Sequence, residues 1–194
     1  MTNVSDLRRT ALRARRNLSA GYRQQASQRA CRHLARLPGA RHARRVGIYW
    51  PLASEIDPRP LITLLPRSTQ FYLPRVAGNS LRFVRWRPSI RWTRSPLGML
   101  EPVGQRGHDV AALDLLIMPL AGFDHYGHRI GLGGGFYDRT LSATRYAPYR
   151  GPRRIGLAFA CQALPTIPPQ PWDVALDAVA SEYGVHRRGI ALLG

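Results

Sequence analysis

The sequence predicts an α/β fold in which a largely parallel central sheet forms the middle of a three-layer α/β/α arrangement. Short apolar runs typical of buried strands recur along the chain. Helical segments separate several of these runs, as expected when parallel strands are covered by helices on both faces. Proline and glycine mark the turns between them. The length predicts a single domain, residues 1–194, onto which an N-terminal helical segment, residues 1–37, packs.

The elements follow in order from these patterns. Residues 5–36 are helical in pattern, with Ser5 as a candidate cap and an interruption at 19–21, and the second helix ends at Pro38-Gly39. An apolar run at 46–50 predicts a strand, followed by a loop over 52–57 and a helix that begins near Pro58 or Pro60. The remaining predicted elements are strands at 70–74 and 81–86, an irregular stretch at 87–106, a strand at 113–119, a helix at 137–142, and strands at 154–160 and 178–182.

The charge of the chain is strongly positive, with a formal net value of +18. All 29 basic residues are arginine, and they are spread along the chain rather than gathered in one block. This distribution favours a compositional bias over a nucleic-acid surface, so we expect small-molecule partners and no nucleic-acid partner. No apolar run approaches the roughly 20 residues of a membrane span, and the N-terminus lacks a signal-peptide core. We therefore expect a cytoplasmic monomer that does not contact a membrane.

The most informative segment is GHRIGLGGGFYDRTL, residues 127–141, whose central residues 131–135 we call the glycine loop. Glycine lets the backbone approach a ligand, and successive free N–H groups form a concave anion site. Arg129 and Arg139 can bind phosphate or carboxylate oxygens, and Asp138 can bind magnesium. The segment is neither a Walker A motif nor a dinucleotide fingerprint. It predicts an anion-binding loop.

Loops that follow parallel strands meet at the carboxyl edge of the sheet. We therefore expect Glu55, Arg75 and the glycine loop to share one cleft. Trp50 and Tyr137 are candidate walls that could stack on a flat ring. The spacing of the six histidines makes a zinc site improbable, and no nucleophile elbow is present.

The string from Phe123-Asp124 through Gly127, Arg129 and Ile130 to GLGGGFYDR closely resembles the signature of the 5-formyltetrahydrofolate cyclo-ligase family. Further matching pieces occur in the family's order along nearly the whole chain: LRRTALRARRNLS, YWPLASEIDPRPLI, FYLPRV, LGMLEP, DLLIMPLAGFD and LPTIPPQPWDVALDAV. The resemblance implies conversion of 5-formyltetrahydrofolate to 5,10-methenyltetrahydrofolate with ATP as co-substrate and Mg²⁺ as cofactor. It also implies that the formyl oxygen attacks the γ-phosphate of ATP, after which N10 attacks the activated carbon and phosphate leaves.

The resemblance also assigns residues to roles. Trp50 and Glu55 match folate-binding positions, and Asp138 and Asp173 match magnesium positions, although spacing alone favours a turn role for Asp173. Arg8 matches an arginine that reaches ATP. The family's lysine is replaced by Val4, so Arg8 or Arg9 is expected to supply its charge. The ATP phosphates are assigned to Arg129, Ile130, Gly131, Leu132, Gly133, Gly134, Gly135, Phe136 and Tyr137, the last five of which also border the folate.

Two other interpretations stay open from the sequence. An arginine-rich RNA-binding protein would lose affinity steeply as salt is added. A kinase-like enzyme would keep the nucleotide site and phosphorylate a different small acid.

Overall fold

The two long helices lie at the N-terminus of the chain, and the other described α-helices are one or two turns long. The computed structural model describes residues 3–95, 98–104, 107–144 and 151–189. Ser19 caps the second helix by accepting a hydrogen bond from the N–H of Tyr22, and Asn3, rather than the predicted Ser5, caps the first. The α-helices are α1 (Val4–Arg16), α2 (Ala20–Ala35), α3 (Pro38–Arg41), α4 (Leu61–Leu64) and α5 (Phe136–Leu141).

Seven strands of the described residues form the central sheet: β1 (Arg45–Gly47), β2 (Gln70–Ala77), β3 (Ser80–Arg85), β6 (Leu115–Met118), β9 (Arg153–Leu157), β10 (Ala178–Ser181) and β11 (Gly184–Arg187). Their order across the sheet is β11-β10-β9-β6-β1-β2-β3. The inner pairs are parallel, whereas β2–β3 and β10–β11 are antiparallel hairpins at the two edges. The separate two-stranded hairpins are β4 (Arg91–Arg94) with β5 (Leu100–Val103), and β7 (Gly122–Phe123) with β8 (Arg129–Ile130).

The two faces of the sheet bury alternate residues of the same strands, because side chains point to opposite faces in turn. In β6, Leu115 and Ile117 pack with α2, α3 and α4 on one face. Leu116 and Met118 pack on the other face, together with Leu141 of α5. The predicted three-layer α/β architecture is therefore confirmed, with the thinner helical layer on the α5 side.

The first helix packs on the β7–β8 hairpin rather than on the sheet itself. Val4 and Leu7 contact a small cluster that contains Ala121 and Ile130. Ala11 is buried against Gly122, where an added Cβ would lie 3.3 Å from the Cβ of Ala11. This contact brings Arg8 and Arg15 of α1 toward the chain that follows β6, where they contact Gly131 and Leu120.

Two local predictions were wrong. Strand β2 continues to Ala77 and turns back through Gly78, so Arg75 lies inside a strand rather than in a loop. The stretch 87–106 contains the β4–β5 hairpin, apart from residues 96, 97, 105 and 106, which lie outside the described residues. The helix predicted to begin near Pro58 or Pro60 is confirmed, because α4 follows Pro60, although it is a single turn. None of the helices in the described part of the chain is long and apolar enough to cross a membrane.

Candidate active site

The candidate site lies at the carboxyl ends of β1 and β6, where the strand order of the sheet reverses. Strand β1 pairs with β2 on one side and with β6 on the other. Open α/β sheets bind ligands at such switch points, because the loops that follow the two strands diverge and leave a crevice. The loop after β1 carries Glu55, and the chain after β6 leads through β7 and β8 into the glycine loop.

The glycine loop has a backbone conformation that other residues rarely adopt. Gly133 has a φ of 110° and Gly135 has a φ of 63°, and both values lie in the region that favours glycine. An added Cβ at Gly135 would also lie 2.6 Å from Nη1 of Arg139. Residues 132–134 are exposed, so their backbone can face a ligand. Glycine is therefore required here by conformation, as expected of an anion-binding loop.

Two arginines hold the loop by its carbonyl groups. Nε of Arg8 on α1 donates to the carbonyl oxygen of Gly131 at 3.0 Å. Nη2 of Arg139 donates to that of Gly134 at 2.6 Å, and its Nε donates to that of Asn79. The guanidinium of Arg139 therefore braces the loop, and its binding of a ligand anion stays a prediction. Arg9 points to Asp6 on its own helix, so of the two neighbouring arginines only Arg8 reaches the loop.

Arg129 and Asp138 form a close ion pair beside the glycine loop. Nη2 of Arg129 donates to Oδ1 of Asp138 at 2.5 Å, and the same oxygen accepts from the N–H of Val174 at 3.3 Å. The side chain of Arg129 is 5% exposed and that of Asp138 is 18% exposed. Nε of Arg129 is buried without a hydrogen-bond partner. Asp138 thus neutralises the arginine that the sequence assigns to the ligand phosphates.

Asp173 lies next to Val174, and the contact between Val174 and Asp138 brings the two aspartates into the same region. Oδ2 of Asp173 accepts from the N–H of Gln170 at 2.9 Å, which is a turn contact. Among the described residues, no group of three or more His, Cys, Asp and Glu side chains could hold a metal ion. A magnesium ion usually keeps several waters and needs only one or two carboxylates from the protein. Asp138 and Asp173 offer that number, which is too few to enclose a metal ion without water.

Glu55 is buried at the opposite side of the crevice and meets an arginine of α1. Oε2 of Glu55 accepts from the N–H of Leu52 at 2.9 Å. Its Oε1 lies 3.9 Å from Nη1 of Arg15, which is too long for a hydrogen bond. Burial raises the pKa of Glu55, a rise that the Leu52 N–H and the charge of Arg15 oppose. Burial also lowers the pKa of Arg15, against the raising effect of Glu55.

Two tyrosines line the same region. The hydroxyl of Tyr49 donates to the carbonyl oxygen of Ile56 at 2.7 Å. Burial and then the charge of Glu55 raise the pKa of both Tyr49 and Tyr137. Tyr137, which follows the glycine loop, thus shares an electrostatic environment with Glu55. Glu55 and the helix that follows the glycine loop are therefore close enough to interact electrostatically.

Trp50 forms an aromatic wall after β1. Its ring centroid lies 4.5 Å from that of Trp92 on β4, and the guanidinium carbon of Arg59 lies 4.9 Å from the Trp50 centroid. Trp50 is only partly buried in this arrangement. The β4–β5 hairpin, which the sequence did not predict, therefore positions one wall of the crevice.

The remaining predicted site residues differ in how accessible their side chains are. The side chain of Ile130 packs in the small apolar cluster under α1, so only its backbone can face a ligand. Leu132 and Phe136 stay accessible, with Leu132 exposed and Phe136 partly buried. Arg75 donates to the carbonyl oxygen of Gly104, a contact to the chain after β5 rather than to the glycine loop. Sequence reasoning missed Arg15, although it lies one helical turn after the buried Ala11 and hence on the buried stripe of α1.

The fold and the crevice define an α/β protein of the class that binds small ligands at a switch point of a parallel sheet. The chain belongs to the 5-formyltetrahydrofolate cyclo-ligase family, whose family model matches residues 1–182. The chain is therefore an enzyme, a ligase of folate one-carbon metabolism. The family resemblance recognised in the sequence is confirmed.

Relatives of the chain carry the family name. The 5-formyltetrahydrofolate cyclo-ligase of Haemophilus influenzae is 34% identical over 175 residues, which cover 87% of this chain and 92% of the relative. The protein of the same name from Escherichia coli K12 is 35% identical over 175 residues, covering 86% and 93%.

A solved structure, the 5,10-methenyltetrahydrofolate synthetase of Aquifex aeolicus, superposes on this chain with a TM-score of 0.81 at 29% identity, covering 97% of this chain and 94% of that one. A synthetase from Mycoplasma pneumoniae superposes with a TM-score of 0.71 at 21% identity, covering 93% of this chain and 99% of that one. The second likeness concerns the fold alone.

Proposed function

We propose that this enzyme converts 5-formyltetrahydrofolate to 5,10-methenyltetrahydrofolate and uses ATP, with release of ADP and phosphate. The observation that carries the proposal is the switch-point crevice, in which an exposed glycine loop lies on one side and a buried carboxylate, Glu55, on the other. The names of the relatives support the folate reaction. The glycine loop supports a phosphate-bearing co-substrate, because its backbone can surround an anion.

The residues suit a phosphoryl transfer that needs positioning and charge neutralisation more than a protein nucleophile. In the proposed reaction the formyl oxygen bonds to the γ-phosphorus while the bond to ADP breaks. N10 then bonds to the formyl carbon and loses its proton, and the carbon–oxygen bond breaks as phosphate leaves. The glycine loop would bind the phosphates through the backbone of residues 131–135. Arg8 would hold the loop at Gly131.

Asp138 and Asp173 would hold Mg²⁺, because carboxylate oxygens suit this cation and one or two of them suffice. The ion, when bound, would neutralise negative charge on the phosphates. Arg129, which contacts Asp138, would remain beside the same phosphates. Trp50 and Glu55 would bind the folate, together with the edge formed by Gly133, Gly134, Gly135, Phe136 and Tyr137.

We also propose that residues 1–194 form one domain, with residues 1–37 packed on it. The contacts of Arg8 with Gly131 and of Arg15 near Glu55 support this arrangement, since the first helix then contributes to the site. A cytoplasmic location, a monomeric state and the absence of nucleic-acid or membrane partners stay predictions from the sequence.

The direct test is to mix the purified protein with 5-formyltetrahydrofolate and Mg-ATP and to follow the absorbance of the methenyl product. We expect product only when both substrates are present, with one ADP formed for each methenyl group. Formation of ADP with a different small acid, and no methenyl product, would favour the kinase-like alternative. Salt-sensitive RNA binding without turnover would favour the RNA-binding alternative.

A further inference from the structure

Arg15 and Glu55 come from distant parts of the chain and meet over the switch point. Arg15 lies on α1, and Glu55 lies in the loop that follows β1. Nη1 of Arg15 also approaches the carbonyl oxygen of Leu120, just after β6, at 3.5 Å. The side chains of Arg15 and Glu55 are only 5% and 4% exposed. The pair is therefore placed between the two loops that border the crevice.

The pair is buried but incomplete. Oε1 of Glu55 and Nε of Arg15 have no hydrogen-bond partner. The two charged groups are 3.9 Å apart, and the contact with Leu120 is at the outer limit of a hydrogen bond. A buried ion pair offsets its desolvation only when its geometry is good and its remaining polar atoms are satisfied. Nε of Arg129, in the pair with Asp138, is also unpartnered, but there the two charged groups are 2.5 Å apart and the same Asp138 oxygen accepts a backbone N–H.

The chemistry of the pair restricts what could complete it. A phosphate would be repelled by Glu55, and a cation would be repelled by Arg15. A neutral group with an N–H donor beside a carbonyl acceptor satisfies both, because the N–H can donate to Oε1 while the carbonyl accepts from the guanidinium. Tyr49 does not compete for this role, since its hydroxyl already donates to Ile56.

We propose that Arg15 is a substrate-binding residue that, with Glu55, recognises the N–H and carbonyl edge of the pterin ring of the folate. Glu55 accepts from the ring N–H, and Arg15 donates to the 4-oxo group. This inference rests on the proposed function, because it takes the folate as the ligand of this side of the crevice. It adds a specificity-determining arginine from α1, which discriminates a 4-oxo ring from a ring with a donor at the same position.

The test compares two ligands on two proteins. Dissociation constants of 5-formyltetrahydrofolate and of its 4-amino analogue are measured for the wild type and for Arg15→Met. We expect Arg15→Met to weaken binding of the 4-oxo folate by about 10- to 100-fold, the range that a hydrogen bond to a charged group contributes. The preference of the wild type for the 4-oxo ring over the 4-amino ring should largely disappear in the variant. Effects of the amino group on the rest of the site are common to both proteins. They cancel when the ratio of the two dissociation constants is compared between the wild type and the variant.

The control is Arg16→Met, which removes the same charge from the exposed neighbour on α1 and should leave both constants and the preference unchanged. Mg-ATP binding should also be unchanged in Arg15→Met. If Arg15→Met does not fold, Arg15→Gln retains an N–H donor, and the preference should then be reduced rather than lost. An unchanged preference in the folded variant would overturn the role of Arg15 and leave the proposed function intact. A wild type that neither binds nor converts 5-formyltetrahydrofolate would instead overturn the proposed function.

Discussion

Two arginine–carboxylate pairs border the crevice, and they differ in how well the protein itself satisfies them. Arg129 and Asp138 are 2.5 Å apart, and Asp138 accepts a further backbone N–H. Arg15 and Glu55 are 3.9 Å apart, and each keeps a buried polar atom without a partner, whereas in the first pair only Nε of Arg129 does. Glu55, whose side chain is less exposed than that of Asp138, belongs to the looser pair. Desolvation costs more for the more buried pair, so selection for stability alone would give that pair the closer contact. The structure shows the opposite.

This difference predicts two modes of binding in the proposed crevice. A cation beside the glycine loop would share Asp138 with Arg129, so its binding would exchange one partner of Asp138 for another. A ligand beside Glu55 would instead meet two buried atoms that have no partner in the protein, Oε1 of Glu55 and Nε of Arg15.

Asp138→Asn should remove the proposed magnesium ligand beside the glycine loop. A neutral amide is a weaker magnesium ligand than a carboxylate, so we expect turnover with Mg-ATP to fall by at least about 100-fold, the upper range for changes around a metal site. The folded structure should persist, because the amide oxygen can still accept from Arg129. Turnover is measured across magnesium concentrations, with thermal unfolding as the test of folding. The control is Asp109→Asn, an exposed carboxylate paired with Arg82. Near-wild-type activity of Asp138→Asn at limiting magnesium would refute the metal role.

Gly133→Ala should weaken nucleotide binding without affecting the buried pair. At a φ of 110° an alanine is strained by about 1–2 kcal/mol. This strain corresponds to about a tenfold weaker affinity when binding requires the loop to keep that conformation. Gly189→Ala is a matched control, since Gly189 also has a positive φ and open space around its Cβ position. Calorimetry with Mg-ATP and with 5-formyltetrahydrofolate checks both ligands. Unchanged Mg-ATP affinity in Gly133→Ala would argue against a phosphate role for the loop.

The pH dependence of stability should reveal the incomplete pair, with the smallest effect of the three. Burial raises the pKa of Glu55 above its ordinary value of 4.5, so folding favours the protonated form. This contribution is fully present below pH 4.5 and is lost as the pH rises through the raised pKa. Stability should therefore decline as the pH rises across this range. Glu55→Gln cannot titrate and should lack this decline in denaturant unfolding. Parallel curves for the two proteins would contradict the raised pKa.

Much of the fold could be predicted because buried parallel strands and capped helices have local signals. The apolar run at Leu115–Met118 was sufficient to predict its strand, and the interruption at 19–21 was sufficient to separate α1 from α2. The β4–β5 hairpin could not be predicted in the same way, because its strand Arg91–Arg94 is mostly exposed and contains a single apolar residue, Trp92. Its pairing and its contact through Trp92 with Trp50 depend on tertiary structure.

The candidate site was predictable where a role depends on the backbone and less so where it depends on long-range contacts. Three consecutive glycines indicated an unusual backbone, and the positive φ values of Gly133 and Gly135 agree with that. Arg15 was not recognised, since it is one of many arginines and only its partner across the fold distinguishes it. The contacts of Arg139 with the carbonyl groups of Asn79 and Gly134 could not be predicted for the same reason, because they depend on tertiary structure.

The central claim is that one crevice binds a folate beside Glu55 and a nucleotide beside Asp138. The most direct measurement is calorimetric titration of 5-formyltetrahydrofolate and of Mg-ATP, each separately, into the wild type, Glu55→Gln and Asp138→Asn. We predict a crossed pattern: Glu55→Gln loses folate affinity by about 10-fold or more and keeps Mg-ATP affinity, whereas Asp138→Asn does the reverse. Equal losses for both ligands in either variant would contradict the claim.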